Sequence, residues 1–223
     1  MSQNPTRVKE PYFTKLNLVN PKFLEILNKT AELGLFTDES ESILKYESTD
    51  YNYEREYYCS EEYFKNLKKE NYTKYKKNGF VDSTPGGRFF IEQCEKLFNL
   101  SLGDGSQQGP GFRSSVYSPD GYLGWHKDEG YGVYVLMFTY CMDNPNGFYR
   151  WEDALTNKIH TLKDIPGWSA KSVVSLNELD SEWHCVMSTT PKCSLALTFE
   201  NYNIFLNIKN FVQSDKYNYY ETI

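Results

Sequence analysis

Apolar residues recur at helical spacing through the first hundred positions and at alternating spacing after Leu100. Asn20-Pro21 offers a cap and a first-turn proline ahead of FLEILNKTAEL, in which Phe23, Ile26, Leu27 and Ala31 fall on one face. Gly34 suits the end of that helix. A second helix is predicted from Ser60 to about Lys77, with Glu61 and Glu62 in its first turn and Gly79 beyond it. A third begins near Thr84-Pro85 and carries Phe90, Ile91, Cys94, Leu97 and Phe98. The stretch ESTDYNYEREYY between the first two yields no assignable pattern.

Downstream of Leu100 the texture changes. SLGDGSQQGPG reads as a loop, and short strand-like runs follow: RSSVY (113–117), YGVYVLMFTY (131–140), KSVVSL (171–176) and CSLALTFE (193–200). The clusters SPDG, DNPNG and DIPG are read as turns between them. Short strands joined by tight turns predict an antiparallel sandwich or barrel, not a parallel βαβ sheet. The expected organisation is α+β in one compact domain. Residues 1–105 form a helical N-terminal support region packed on the core, 106–210 the strand-rich core, and 211–223 a C-terminal tail. No internal repeat is present.

Composition narrows the setting. The chain has 223 residues, enough for one substantial core, and its 19 Tyr and 14 Phe imply that rings supply much of the buried area. No apolar run approaches the roughly 20 residues of a membrane helix, and MSQNPTRVKEPYF lacks the charged-then-apolar pattern of a secretory signal. Five Cys, odd in number and without a CxxC, are read as reduced thiols of a cytosolic protein, a setting that also suits ferrous iron. A net charge of −6 argues against broad attraction to nucleic acid. One segment runs the other way: Lys65, Lys68, Lys69, Lys74, Lys76 and Lys77 crowd around Tyr72 and Tyr75, as a solvated helix face or as a local phosphate-contacting patch.

Candidate chemistry concentrates around the histidines His126, His160 and His184. His126 and Asp128 stand in W-H-K-D, and in an extended segment both project to one side. His184, in E-W-H-C-V, is the leading third ligand. Two imidazoles and one carboxylate hold one face of an octahedral iron(II) and leave three positions open, two of which a keto-acid can take. Thiolate-rich zinc sites need clustered Cys, which are absent. After His184 come Lys192 and Ser194 in the strand SLALTF, a cation and a hydroxyl on one face able to hold the distal carboxylate of a dicarboxylic cosubstrate. The bland role for Lys192 is a strand-edge lysine that deters aggregation. His160 has no ligand neighbour and is read as structural or exposed. Trp125, Trp151, Trp168 and Trp183 are candidates for core or pocket wall, and Arg150 for a substrate contact or a partner of Glu152 or Asp153.

In these motifs, H126-K-D128, H184 and K192-C-S194, the chain resembles the iron(II)/2-oxoglutarate-dependent oxygenase superfamily over roughly residues 111–205. V-Y117-S-P-D-G-Y-L-G-W-H126 resembles the prolyl-hydroxylase approach to the metal, which makes Tyr117 a candidate hydrogen-bond partner for 2-oxoglutarate. N-P-N-G147-F-Y-R150 resembles the glycine-containing turn and strand that follow the long central strand in that group. The resemblance implies a double-stranded β-helix (jelly-roll) core with a helical N-terminal layer. It implies Fe(II) and 2-oxoglutarate as cofactors, with His126, Asp128 and His184 as metal ligands and catalytic centre. Lys192, Ser194 and Tyr117 would bind the cosubstrate.

The implied activity is hydroxylation of a C–H on a peptide side chain or amino acid, with formation of succinate and CO2. Y-L-G-W-H-K-D-E also resembles the alkylation-repair oxygenases, which would make the substrate a nucleic acid and the reaction an oxidative demethylation. Those enzymes carry an arginine where Lys192 stands and another near the strand end, where this chain has Glu200, so the expectation is a small-molecule or peptide substrate. A jelly roll that keeps a metal without turnover is a third reading. Pocket walls in this fold come from variable loops, so substrate and oligomeric state are left open.

Overall fold

The computed structural model describes residues 11–35, 51–70, 77–81, 85–103, 109–128, 134–143, 145–153, 156–174 and 183–219. Among the described residues, nine strands form one antiparallel sheet. They are β1 (Phe13–Leu16), β2 (Lys77–Val81), β3 (Gly111–His126), β4 (Tyr134–Cys141), β5 (Phe148–Asp153), β6 (Lys158–Lys163), β7 (Gly167–Val174), β8 (His184–Met187) and β9 (Lys192–Phe199). Their order is β1-β7-β4-β9-β3-β8-β5-β6, with β2 paired to β3. The fold is therefore mixed α and β around a curled antiparallel sheet.

The curl originates in β3. Gly111–Tyr117 pairs with β9, and Tyr122–His126 pairs with β8. Between them the SPDG motif, read from sequence as a turn, stays extended, and the strand passes through it without a break. Tertiary partners override its turn chemistry. Arg55 donates to Asp120 at 2.7 Å and to the Ser188 carbonyl at 3.3 Å, and the Ser188 amide bonds the Gly121 carbonyl at 2.9 Å.

Strict alternation along the strands sorts side chains between two environments. Leu136 and Phe138 of β4, Leu195, Leu197 and Phe199 of β9, and Phe112 and Val116 of β3 face a helical layer and are buried in one core. The helices there are α1 (Pro21–Glu32), α4 (Pro85–Phe98) and α5 (Tyr202–Val212), which contribute Phe23, Phe90, Phe98, Phe205 and Phe211. Phe23 lies 4.8 Å, centroid to centroid, from Phe138. The intervening residues of the same strands, Val135, Met137, Ser115, Tyr117, Lys192 and Ser194 among them, line a cavity on the opposite face.

The first and third predicted helices stand as α1 and α4. Asn20 caps α1 by accepting from the Phe23 amide at 2.9 Å, and its amide group donates to the carbonyls of Phe211 and Lys216. One buried side chain thus starts α1 and ties it to the C-terminal segment. Gly34 follows α1 at φ 102°, in the left-handed region. The second helix differs from expectation: α2 (Tyr51–Tyr58) and α3 (Glu61–Glu70) precede β2, so Lys77 opens a strand. Gly79 falls between the β2 residues where the register with β3 shifts, the usual place for a strand glycine. Residues 71–76, which include Lys74 and Lys76, lie outside the described residues. The 1–105 region contributes β1 and β2 to the sheet as well as helices, and α5 is a helix that the sequence pattern does not anticipate. Among the described residues, no helix is long and apolar enough to cross a membrane.

Candidate metal centre and its cavity

His126 ends β3 and His184 begins β8, directly opposite each other in the pairing of the two strands. Asp128 follows two residues on. One oxygen of Asp128 lies 3.5 Å from His126 Nε2, and the other lies 3.5 Å from His184 Nε2. One ligand atom from each residue falls within 4.8 Å of the others. His126 and His184 are buried, and the Asp128 side chain is 38% exposed. His126 Nδ1 sits 2.7 Å from the Gly124 carbonyl, which can only accept. That bond makes Nδ1 a donor and turns Nε2 toward the cluster, the orientation a metal-ligating imidazole needs. The surrounding protein disfavours charge on Asp128, but His184, His126 and Arg113 together outweigh it and hold the carboxyl down at about 2. An anionic oxygen beside two imidazoles is the donor set of a borderline divalent metal such as iron(II).

The cluster stands in the wall of a cavity of about 290 Å³. Tyr117, Lys192 and Ser194 all line this cavity with the three ligand candidates. Lys192 and Tyr117 are opposite each other across β9 and β3, with the ammonium 5.8 Å from the ring centroid. Lys192 is not a strand-edge lysine: it is 2% exposed, and its Nζ lies 2.9 Å from each oxygen of Asp164. Ser194 Oγ is 3.3 Å from Thr139 Oγ1.

Other candidates fall elsewhere. His160 stacks on Trp151 at 5.2 Å, away from the ligand cluster. Arg150 donates to Thr161 and to the Cys59 carbonyl, so neither Glu152 nor Asp153 is its hydrogen-bond partner. Glu152 instead takes Lys68 at 2.6 Å. None of the four tryptophans is among the described residues lining the cavity. Trp125 is core, stacked on Phe64 at 4.2 Å and donating to the Ser60 carbonyl. Trp151 packs on Phe13 at 3.9 Å and pairs across the strands with His184. All five cysteines are free and buried, and burial pushes the Cys141 thiol up to about 12, far from a thiolate ligand.

Three titratable cavity residues escape the sequence reading: Arg113, Tyr149 and Lys171. Arg113 heads RSSVY and Lys171 heads KSVVSL, and each shares inward parity with a later cavity or sheet position. Parity was the available signal, but a charge at the start of a strand reads equally well as its solvent end.

No protein-family model matches the chain, and no curated protein matches it. Among solved structures, one of OsALKBH1 is 12% identical over 85% of this chain and 98% of its own, with a TM-score of 0.40. Peruvianin-I, a cysteine peptidase from Thevetia peruviana latex, is 9% identical over 42% of this chain and 52% of its own, with a TM-score of 0.25. Neither superposition is close enough to define the fold or a function.

Proposed function

We propose that this protein is a non-haem iron(II)- and 2-oxoglutarate-dependent oxygenase. The observation that carries the reading is the convergence of His126, Asp128 and His184 in the wall of a cavity that also holds Lys192, Ser194 and Tyr117. The strand connectivity supports it. The β3/β8–β9 ribbon and the β4–β5/β6–β7 ribbon each fold over on themselves, which is the connectivity of a double-stranded β-helix with α1, α4 and α5 layered on one face. Bound iron would supply dioxygen activation, converting 2-oxoglutarate, O2 and a substrate C–H to succinate, CO2 and C–OH. The chain's own residues do the rest. The Gly124 carbonyl orients His126, Asp128 provides the anionic ligand, and the cavity's cations and hydroxyls receive the dicarboxylate away from bulk water.

For the acceptor, a peptide side chain or amino acid is one reading. A nucleic-acid base is the second, favoured by the half-exposed aromatic cluster of Phe13, Trp151 and His160, of which Trp151 pairs across the strands with His184. Flat ring stacks receive single bases without needing a basic protein overall. Succinate release from 2-oxoglutarate, screened with iron against peptides, amino acids and oligonucleotides, tests both levels. Iron-dependent succinate with any acceptor supports the oxygenase, and the acceptor that stimulates it names the class. No iron binding and no succinate would remove the reading.

A further inference from the structure

Lys192 is the cation that sequence reasoning assigns to the cosubstrate's remote carboxylate, yet it is already neutralised. Both oxygens of Asp164 contact it, and the two side chains are buried together. A second ammonium in the same cavity differs. Lys171 of β7 is 5% exposed and donates to Thr139 Oγ1 at 3.2 Å, and its Nζ stands 4.7 Å from the Tyr149 ring centroid. Among the described residues, no carboxylate forms an ion pair with it.

We propose that Lys171 receives the remote carboxylate of a dicarboxylic cosubstrate, with Ser194 and Thr139 as hydroxyl partners and the Lys192–Asp164 pair as a fixed neutral neighbour. This rests on the oxygenase reading and adds to it a residue and a charge count. With both lysines protonated, Lys171, Lys192 and Asp164 together carry one positive charge, enough for one carboxylate, while the cavity's other cation, Arg113, acts on Asp128. Burying an ammonium with only a hydroxyl and a ring face is costly, and an incoming anion removes that cost. The position fits as well. Tyr149 lies under Lys171 on one side and stacks on His184 at 5.4 Å on the other, so one ring's breadth separates the ammonium from a metal ligand. A short dicarboxylate held at the metal by its keto-acid end spans that gap.

The charge environment adds a proton to the binding event. Burial first, then Lys192, pulls the Lys171 ammonium down to about 7, while Asp164 and Cys141 oppose the shift. Tyr149 of β5 faces it, and Lys15 of β1 is its cross-strand neighbour. Near neutral pH and above, much of the empty protein therefore carries a neutral Lys171 amine, and an arriving carboxylate draws a proton onto it.

Calorimetric titration of the Mn(II)-loaded protein, without oxygen turnover, tests the assignment with 2-oxoglutarate and with pyruvate, which shares the keto-acid end but lacks the remote carboxylate. Lys171→Met should lose at least about tenfold in 2-oxoglutarate affinity and leave Mn(II) and pyruvate affinity unchanged. Lys171→Arg should recover part of the loss. The unaltered protein, titrated at pH 8.5 in buffers of differing ionisation enthalpy, should take up close to one proton with 2-oxoglutarate and none with pyruvate. Equal 2-oxoglutarate affinity in Lys171→Met, or equal losses for both ligands, would overturn the proposal. So would binding without proton uptake. If the unaltered protein binds neither Mn(II) nor 2-oxoglutarate, the oxygenase reading falls with it. Normal binding that is indifferent to Lys171 removes this inference alone.

Discussion

The ammonium of Lys192 stands 2.9 Å from each oxygen of the Asp164 carboxylate, and the two side chains are 2% and 8% exposed. Removing one partner of such a pair leaves the other charge buried and uncompensated. Asp164→Asn is expected to cost about 3–5 kcal/mol in urea unfolding. The double variant Asp164→Asn, Lys192→Met should recover most of that loss. A double variant no more stable than Asp164→Asn alone would mean that the pair does not set the cost.

Gly147 holds that aspartate in place. Its carbonyl accepts from the Asp164 amide at 3.0 Å, and a Cβ at position 147 would collide with the Met187 carbonyl and the Asp164 carboxylate. Gly147→Ala is expected to lose about 1–3 kcal/mol of stability through overpacking. In the Asp164→Gly background the same change should cost less, because one of the two obstacles is gone. Denaturation midpoints of the four proteins provide the cycle.

His126→Ala, Asp128→Ala and His184→Ala should each weaken iron affinity by more than about 100-fold, beyond what loss of an outer-shell partner produces. His160→Ala is the control for metal content, since that ring stacks on Trp151 outside the cluster. Metal content after dialysis, together with succinate release, reads both. Ordinary iron content in the His184→Ala protein would count against the triad.

Lys171 gives folding a pH dependence whose sign is fixed. The unfolded chain keeps this proton up to the ordinary 10.5, and the folded chain only to about 7. Between those values the unfolded state binds more protons, so the Lys171 contribution to stability rises with pH across that window and is flat below it. Lys171→Met should be more stable than the parent at pH 7, on the order of a few kcal/mol, with the difference shrinking toward pH 9.5. Urea midpoints at both pH values check this, and a constant difference would contradict it.

Lys68 bridges the lysine-rich helix and the site's sheet by its 2.6 Å contact with buried Glu152. Lys68→Ala is expected to cost about 1–3 kcal/mol, because the carboxylate loses a hydrogen-bond partner. Lys65→Ala and Lys69→Ala should leave stability within about 0.5 kcal/mol. If an oligonucleotide proves to be the acceptor, the salt dependence of its binding should flatten on replacing Lys65 and Lys69. An unchanged slope would place the phosphate contacts elsewhere.

What the sequence determined by itself was whatever depends on near neighbours. Asn20-Pro21 and Gly34 bracket α1 because caps and left-handed residues act within a turn. The two-residue spacing brings His126 and Asp128 to one cluster although β3 ends at His126, and Lys192 and Ser194 enter the cavity because a strand alternates. Alternation also separates Leu195 and Leu197, which face the helices, from Ser194 and Ala196, which face the cavity. The tertiary structure decided what depends on register between distant strands. SPDG has the composition of a turn but runs extended, because Arg55 and the Ser188 amide hold it where β3 passes from β9 to β8. Asp164, inside the apparent turn DIPG, reaches Lys192 because only β4 separates β7 from β9 and Gly147 leaves room for the carboxylate. Lys171 looks from the sequence like the polar start of a strand. It becomes a buried cation in the cavity of His126, Asp128 and His184 only when β1 and β4 pair on either side of β7. Periodicity fixes which face a side chain takes, whereas the partner it meets there depends on which strands close around it.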